Sequence, residues 1–188
     1  MKTARPVRIP PAQLHLYFGE GKGKSTAAFG QAVRAWGAGW RVLFVQFLKD
    51  SRAPSSEAEA AAALGARFQL LRVPQPASVI SDPGPGGRKM LRQACRGLLD
   101  SAREQAARRR YDVVVLDEVL VACHFRFVAV DAVLDLMRAA SGRGTRLVVL
   151  TGRWAPAGLL RRADLATELV NVRHPFQHGA RPVHGIDF

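Results

Sequence analysis

Six short apolar runs punctuate the chain, and stretches of mixed character separate them. "QLHLYF" (13–18) alternates and then turns apolar, as a buried strand does. "RVLFVQF" (41–47) and "YDVVVLDE" (111–118) also read as buried strands, and "RFQLLRV" (67–73), "TRLVVLTG" (145–152) and "LATELVNV" (165–172) as further strands. Helical patterns lie between them. "KSTAAFGQAVRAW" (24–36) is rich in helix formers and stops at "GAG" (37–39), which is C-cap chemistry. "SSEAEAAAALGA" (55–66) predicts a helix with serine at its start and glycine near its end. A long polar helix over about 88–110, "FVAVDAVLDLMRAA" (127–140) and a short helix in "APAGLLRRA" (155–163) complete the set. "PQPASVISDPGPGG" (74–87) holds four prolines and three glycines, which predicts no regular structure. No internal repeat is visible.

Strands alternating with helices predict an α/β fold of three layers, a mostly parallel sheet of about six strands with helices on both faces. The chain reads as one domain over 1–188, with a basic leader at 1–11 and a tail at 173–188. In such sheets ligands bind at the carboxyl ends of the strands. Three polar clusters fall at such ends: Gly19 to Thr26, Asp117-Glu118, and Thr151-Gly152-Arg153.

The first of these, "GEGKGKST", approaches the phosphate-binding pattern G-x-x-x-x-G-K-[ST] but misses its spelling. Counting back from Gly23-Lys24-Ser25 puts Phe18 where the first glycine belongs, and Gly19 stands one residue late. The chemistry is nevertheless apt. Gly19, Gly21 and Gly23 let backbone N–H groups turn toward one point, and a helix starting near Lys24 adds its positive end. Lys24 supplies a mobile charge, Lys22 a second one, and Ser25 a hydroxyl for Mg²⁺; Glu20 and Thr26 complete the loop. A Gly/Lys-rich turn is the plain alternative, but the position between a buried strand and a helix favours phosphate binding. "VVVLDE" adds acids at a strand end, where P-loop proteins hold their metal. The expected fold is thus P-loop NTPase-like. A hydrolase of this type must orient water and a kinase needs a base. Glu118 could serve, and no second candidate stands beside it. His15 lies inside the first strand, His124 reads as a packing residue, and His174, His178 and His184 fall in the tail.

Composition changes this picture little. With 48% apolar residues in 188, the chain can bury a sizeable core. No run approaches the roughly 18 apolar residues of a membrane span, and the basic start has no apolar stretch behind it. Cys95 and Cys123 lack metal-ligand spacing and read as reduced thiols, so a cytoplasmic protein is expected. The net charge of +13 would suit nucleic acid or anionic ligands. All but five of the 28 cations are arginine, scattered apart from "ARRR" (107–110) and without interleaved aromatic residues. That scatter argues against nucleic acid as the main partner.

Beyond these readings, "YFGEGKGKSTAAFGQAVRAWGAGWRVLFVQFLKD" resembles the N-terminal half of ATP:corrinoid adenosyltransferases, the branch named for cob(I)yrinic acid a,c-diamide. The family's loop reads G-x-G-K-G-K-[ST]-T. "YDVVVLDEV", "VVLTGRWAPAGLLRRADLATELVNVRHPF" and the closing "GIDF" are similar to its second half, and the likeness covers roughly 12–73 and 110–188. The resemblance implies transfer of the 5′-deoxyadenosyl group of ATP to Co(I) of a reduced corrinoid, with triphosphate released. It implies charge stabilisation by Lys22, Lys24 and Mg²⁺, with Ser25, Glu118 and Asp117 around the ion. It places Arg34 and Arg153 near the nucleotide. It also implies a homodimer, an electron-donating flavoprotein partner, and ATP bound in reverse along the loop. Relatives carry aromatic residues after the third strand to shield the corrinoid's lower face, whereas 74–110 here holds no Phe, Tyr or Trp. Phe125 and Phe127 are the candidates to compensate, against a plainer role as core anchors.

Overall fold

In the computed structural model, residues 12–50, 52, 55–74, 83–174, 179 and 181–186 are described. The leader at 1–11, most of the Pro/Gly-rich stretch, the "PF" of the HPF motif and the last two residues lie outside them. Six strands form a single sheet: β1 (Gln13–Phe18), β2 (Val42–Gln46), β3 (Phe68–Leu71), β4 (Val113–Asp117), β5 (Leu147–Gly152) and β6 (Leu165–Glu168). Their order is β3-β2-β4-β5-β1-β6, and every pairing is parallel. The expected three-layer α/β architecture is therefore present. β2, β4 and β5 are buried at every position, because helices cover both faces of the sheet.

On one face α1 (Lys24–Gly37) lays Ala28, Ala32 and Ala35 against Phe44, Val113, Val115 and Val149. The alanines recur at helical spacing and let the helix sit close to the sheet. Phe29, Phe44 and Phe68 fill the space beside them, with centroids 5.4 to 6.1 Å apart. On the other face α3 (Gly84–Arg108) and α5 (Val130–Gly142) pack on Leu43, Val114, Val148 and Leu150. Cys95 and Cys123 are free and buried here, and desolvation pushes both thiols up to about 12, which keeps them protonated and inert.

Three expectations need adjustment. The long helix begins at Gly84, inside the stretch expected to lack regular structure. Pro85 is compatible because a helix's first turn has no acceptor for its N–H, so proline forfeits nothing there. A helix was not expected over Val119–His124, yet α4 follows β4 directly. Its first five residues are apolar and buried, so no amphipathic period marks it. Ser55 stands at the N-cap of α2 (Ser56–Leu64), but its hydroxyl bonds the Glu57 carboxylate at 2.8 Å instead of capping the backbone. The remaining helix is α6 (Ala157–Leu160). Among the described residues no helix is long and apolar enough to cross a membrane.

Candidate active site

β5 lies between the loop strand β1 and the acidic strand β4. The carboxyl ends of all three open on one cleft of about 460 Å³. Lys22, Lys24, Ser25 and Thr26 line it from the loop, Glu118 and Arg153 from β4 and β5, and Lys49 and Glu57 from beyond β2. The tail contributes His174, Pro182 and Ile186.

The loop divides into a braced half and an open half. Phe18 is still strand, paired in register with Gly152 and Glu168, so the turn starts one residue late at Gly19, with φ +107°. The Gly19 N–H donates to the Arg153 carbonyl at 3.0 Å and that of Gly21 to Leu169 at 2.8 Å. The Lys22 N–H donates to Asn171 Oδ1 at 2.8 Å. These three donors are consumed by the protein itself. A Cβ on Gly21 would lie 2.5 Å from the Leu169 carbonyl carbon, and one on Gly19 the same distance from its oxygen. Glycine is required there by close backbone approach. From Gly23, in the left-handed region at φ +106°, the chain enters α1. The N–H groups of the first helical turn then face the cleft without intrahelical acceptors. Their macrodipole is positive toward the same point.

Lys24 is buried, 9% exposed, and its ammonium donates to the Gly21 carbonyl at 2.6 Å. Burial lowers its pKa, with the Glu118 charge opposing. Lys22 is exposed and its Nζ donates to the Ile186 carbonyl at 2.8 Å, tying loop to tail. Arg153 pairs with Glu20 at 3.0 Å, outside the open half of the loop. Arg34 lies in the last turn of α1, exposed and about 15 Å along the helix from its start. It acts on the Tyr17 phenol and does not line the cleft.

The two acids have different surroundings. Asp117 is fully buried and accepts the Thr151 hydroxyl at 2.7 Å. Its other oxygen faces Lys49 Nζ at 3.2 Å and Gln46 Nε2 at 3.4 Å. Thr151 in turn accepts the Glu118 backbone N–H at 2.9 Å, which fixes Glu118 in a left-handed conformation at φ +62°. The Glu118 side chain lines the cleft and makes no ion pair or hydrogen bond among the described residues. Glu118 and Ser25 line the same cleft, and a carboxylate and a hydroxyl beside a phosphate site could hold Mg²⁺. That ion takes few protein ligands and leaves its other positions to water and phosphate. Ser25 and Glu118 fit as direct ligands, while Asp117 is committed to Lys49 and Thr151 and orients its neighbours.

Lys49 was not singled out from the sequence. It lies in "FLKD", with no pattern to mark it, and reaches Asp117 only because β2 and β4 are paired. Burial works against its charge, but Asp117 and Glu57 outweigh that and raise its pKa. Asn171 likewise gains its role from tertiary contact alone, and Glu57 meets Lys49 from eight residues further along the chain.

Burial lifts the Glu118 carboxyl above its ordinary 4.5, and Asp117 adds to the lift; Lys49, Lys24 and Arg153 oppose it. Above pH 4.5 the folded state therefore holds more proton than the unfolded chain. The stabilising contribution of this group falls as pH rises through that window. Glu118→Gln is expected to raise the thermal midpoint of the nucleotide-free protein at pH 7. The advantage should disappear below about pH 4, where parent and variant are both neutral at this position. Calorimetry at the two pH values checks this, and equal midpoints at pH 7 would contradict the desolvation of Glu118.

A parallel sheet whose glycine loop turns helical N–H groups and a buried lysine onto an anion cleft, with an acid at a neighbouring strand end, defines a P-loop nucleotide-binding protein. Comparison with known proteins narrows the class. Residues 11–188 match the family described as ATP:corrinoid adenosyltransferase BtuR/CobO/CobP, and the chain belongs to that family. The corrinoid adenosyltransferase CobA of Salmonella typhimurium is 32% identical over 173 residues, which span 92% of this chain and 84% of that protein. The corrinoid adenosyltransferase of Escherichia coli K12 shows the same identity and coverage. That of Pseudomonas aeruginosa is 33% identical over 180 residues, 93% of this chain and 83% of its own length. The chain is accordingly a transferase that adenosylates corrinoids, with ATP as co-substrate.

Proposed function

We propose that this chain attaches the 5′-deoxyadenosyl group of ATP to Co(I) of a reduced corrinoid, either cob(I)yrinic acid a,c-diamide or cob(I)alamin, and releases inorganic triphosphate. The cobalt electron pair forms the Co–C bond as the C5′–O bond breaks, and its electrons leave on the triphosphate. No proton moves, so neither a side-chain nucleophile nor a base is required. What the protein must provide is alignment and charge.

The observation that carries this reading is the equipment of the cleft. Lys22, Lys24, Lys49 and Arg153 surround it, and of its two carboxylates Glu57 is tied to Lys49 at 3.4 Å. That is a site for a departing polyanion. The first-turn N–H groups and Lys24 hold the phosphates, and Lys22 and Arg153 neutralise charge at the rim. Mg²⁺, held by Ser25 and Glu118, would add positive charge on the triphosphate. The braced Gly19–Lys22 segment shapes the loop, with Thr26 beside the open half. ATP lying in reverse along the loop would turn C5′ outward toward the corrinoid.

The same reading takes the chain as one catalytic P-loop domain in the cytoplasm, supplied with electrons by a flavoprotein. It works as a homodimer. The exposed apolar side chains of Leu165, Val170 and Val172 along the free edge of the sheet support an interface there.

Protein, Mg-ATP and chemically reduced corrinoid, mixed under anoxia, should yield a light-sensitive cobalt–carbon product and one triphosphate for each. Persistence of the reduced corrinoid while ADP and phosphate accumulate would refute the assignment.

A further inference from the structure

The sheet gathers arginines that lie far apart in the sequence. Val42 pairs with Phe68 on one side and Val113 on the other, and Val113 pairs with Leu147. The residues just ahead of these four, Arg67, Arg41, Asp112 and Arg146, therefore form one row along the amino ends of β3, β2, β4 and β5. The segments leading into those strands, residues 65–67, 38–41, 109–112 and 143–146, hold six arginines and a single acid. All six, Arg41, Arg67, Arg109, Arg110, Arg143 and Arg146, are exposed. The acid, Asp112, has a side chain only 13% exposed and takes Arg110 at 3.2 Å and Arg146 at 3.5 Å. Those two partners stay more than half in water, with side chains 59% and 56% exposed. One acid thus positions the cluster without cancelling its charge.

Two rings belong to the same edge. The Arg67 guanidinium lies over Trp36 at 5.1 Å, and that of Arg146 over Trp40 at 4.9 Å. Trp36 is held in turn, because its Nε1–H donates to the Leu64 carbonyl at 3.1 Å. The interleaving of arginine and aromatic side chains that the sequence lacks is made by the fold.

We propose that this edge binds single-stranded nucleic acid as a second partner, its arginines gripping phosphates and the Arg67–Trp36 and Arg146–Trp40 stacks receiving bases. The catalytic cleft opens at the other ends of the strands, about 17 Å away along β4, so the surface stands apart from adenosyl transfer. Arginine at every cationic position suits phosphate, since a guanidinium fork engages two oxygens at once. A guanidinium plane resting on an indole also gives a base a flat charged face to stack on. An acidic protein would match the charge but make no use of the stacks. A membrane surface calls for apolar side chains to bury, and none of the large exposed ones among the described residues lies in these segments.

The test follows the fluorescence anisotropy of a labelled oligouridylate of about 12 nucleotides, within the site sizes of stacking platforms. The full chain should bind it with a Kd of about 10⁻⁵ M or tighter at low salt, equally with and without saturating Mg-ATP. The logarithm of affinity should fall against that of salt with a slope of about −3, the value for four phosphate contacts. Arg41→Gln/Arg67→Gln/Arg143→Gln leaves Asp112 both its partners. It should weaken binding by about 10-fold or more and flatten the slope by about 2, with adenosyl transfer unchanged. Removing the same charge elsewhere, by Arg92→Gln/Arg96→Gln/Arg161→Gln, should cost less than about twofold. Arg146→Lys keeps the charge and loses the plane, and should weaken binding about fivefold, the low end for one lost stack. Absence of binding by the parent would overturn the proposal, and so would equal weakening by the two triple variants, which would mean net charge alone. Binding lost on adding Mg-ATP would overturn it by moving the strand to the cleft. Displacement by polyglutamate at equal charge would overturn it by making the edge a general anion surface. Unchanged affinity in Arg146→Lys would refute the stacking.

Discussion

Lys24→Ala is expected to lower kcat/KM for ATP by about 10² to 10³-fold, the range seen when one pre-aimed charge stabiliser is removed from a reacting centre. The corrinoid KM should not change. The ammonium is buried against the loop and aimed from within hydrogen-bond reach of Gly21, where charge on the departing triphosphate would develop. Folding should survive the change. Burial already lowers the pKa of this lysine, so its charged form contributes nothing favourable to the folded state by itself. A thermal midpoint near that of the parent, with turnover nearly abolished, separates a chemical role from a structural one. Unchanged turnover would remove Lys24 from the site.

A second large effect is expected from one methyl group. Gly21→Ala places a Cβ at 2.5 to 2.6 Å from the Leu169 carbonyl and the Val170 nitrogen, all backbone atoms that cannot swing aside. Either the loop or the segment after β6 must move, at a cost of about 1–3 kcal/mol. Because the Gly21 N–H bonds Leu169, the shift also detaches the braced half of the loop. ATP affinity should fall at least tenfold and the thermal midpoint by several degrees. Gly30→Ala provides the contrast. It lies inside α1 with open space around its Cα, and the same substitution there should stabilise by about 0.5–1 kcal/mol. Calorimetry and nucleotide titration of the two variants decide the matter; matching behaviour would mean that the contact with Leu169 carries no weight.

How much of this was legible in the sequence differs from element to element. Apolar runs such as "VVVLDE" and "RLVVLTG" announced buried parallel strands, because a sheet covered on both faces needs apolar side chains on both. Glycine and lysine spacing announced the loop, since its backbone conformation admits few other residues. α4 was hidden, because uniform burial erases the period by which helices are read. The start of α3 was hidden by prolines and glycines that the first turn of a helix tolerates. Within the site, Ser25, Lys24 and Glu118 were named in advance, since each sits in a local motif. Lys49 and Asn171 were not, because partners 68 and 149 residues away give them their positions. Arg34 was placed near the nucleotide by resemblance, and stands at the far end of α1. Phe18 in the place of glycine is explained by β1 running one residue further before the turn.

The neighbours of β1 have a consequence for biosynthesis. β1, the first of the six strands among the described residues, pairs on one side with β5 and on the other with β6. Its loop is then braced by Leu169, Asn171 and Ile186. A ribosome must therefore deliver the chain through Ile186 before the nucleotide pocket can close. Until β5 emerges β1 waits with both edges unpaired, and until β6 emerges with one, a long-range closure of the kind that slows folding and exposes nascent chains to aggregation. Emergence of activity during translation should await Leu169, Asn171 and Ile186, and deleting the segment that carries them should silence the loop at Gly19–Thr26.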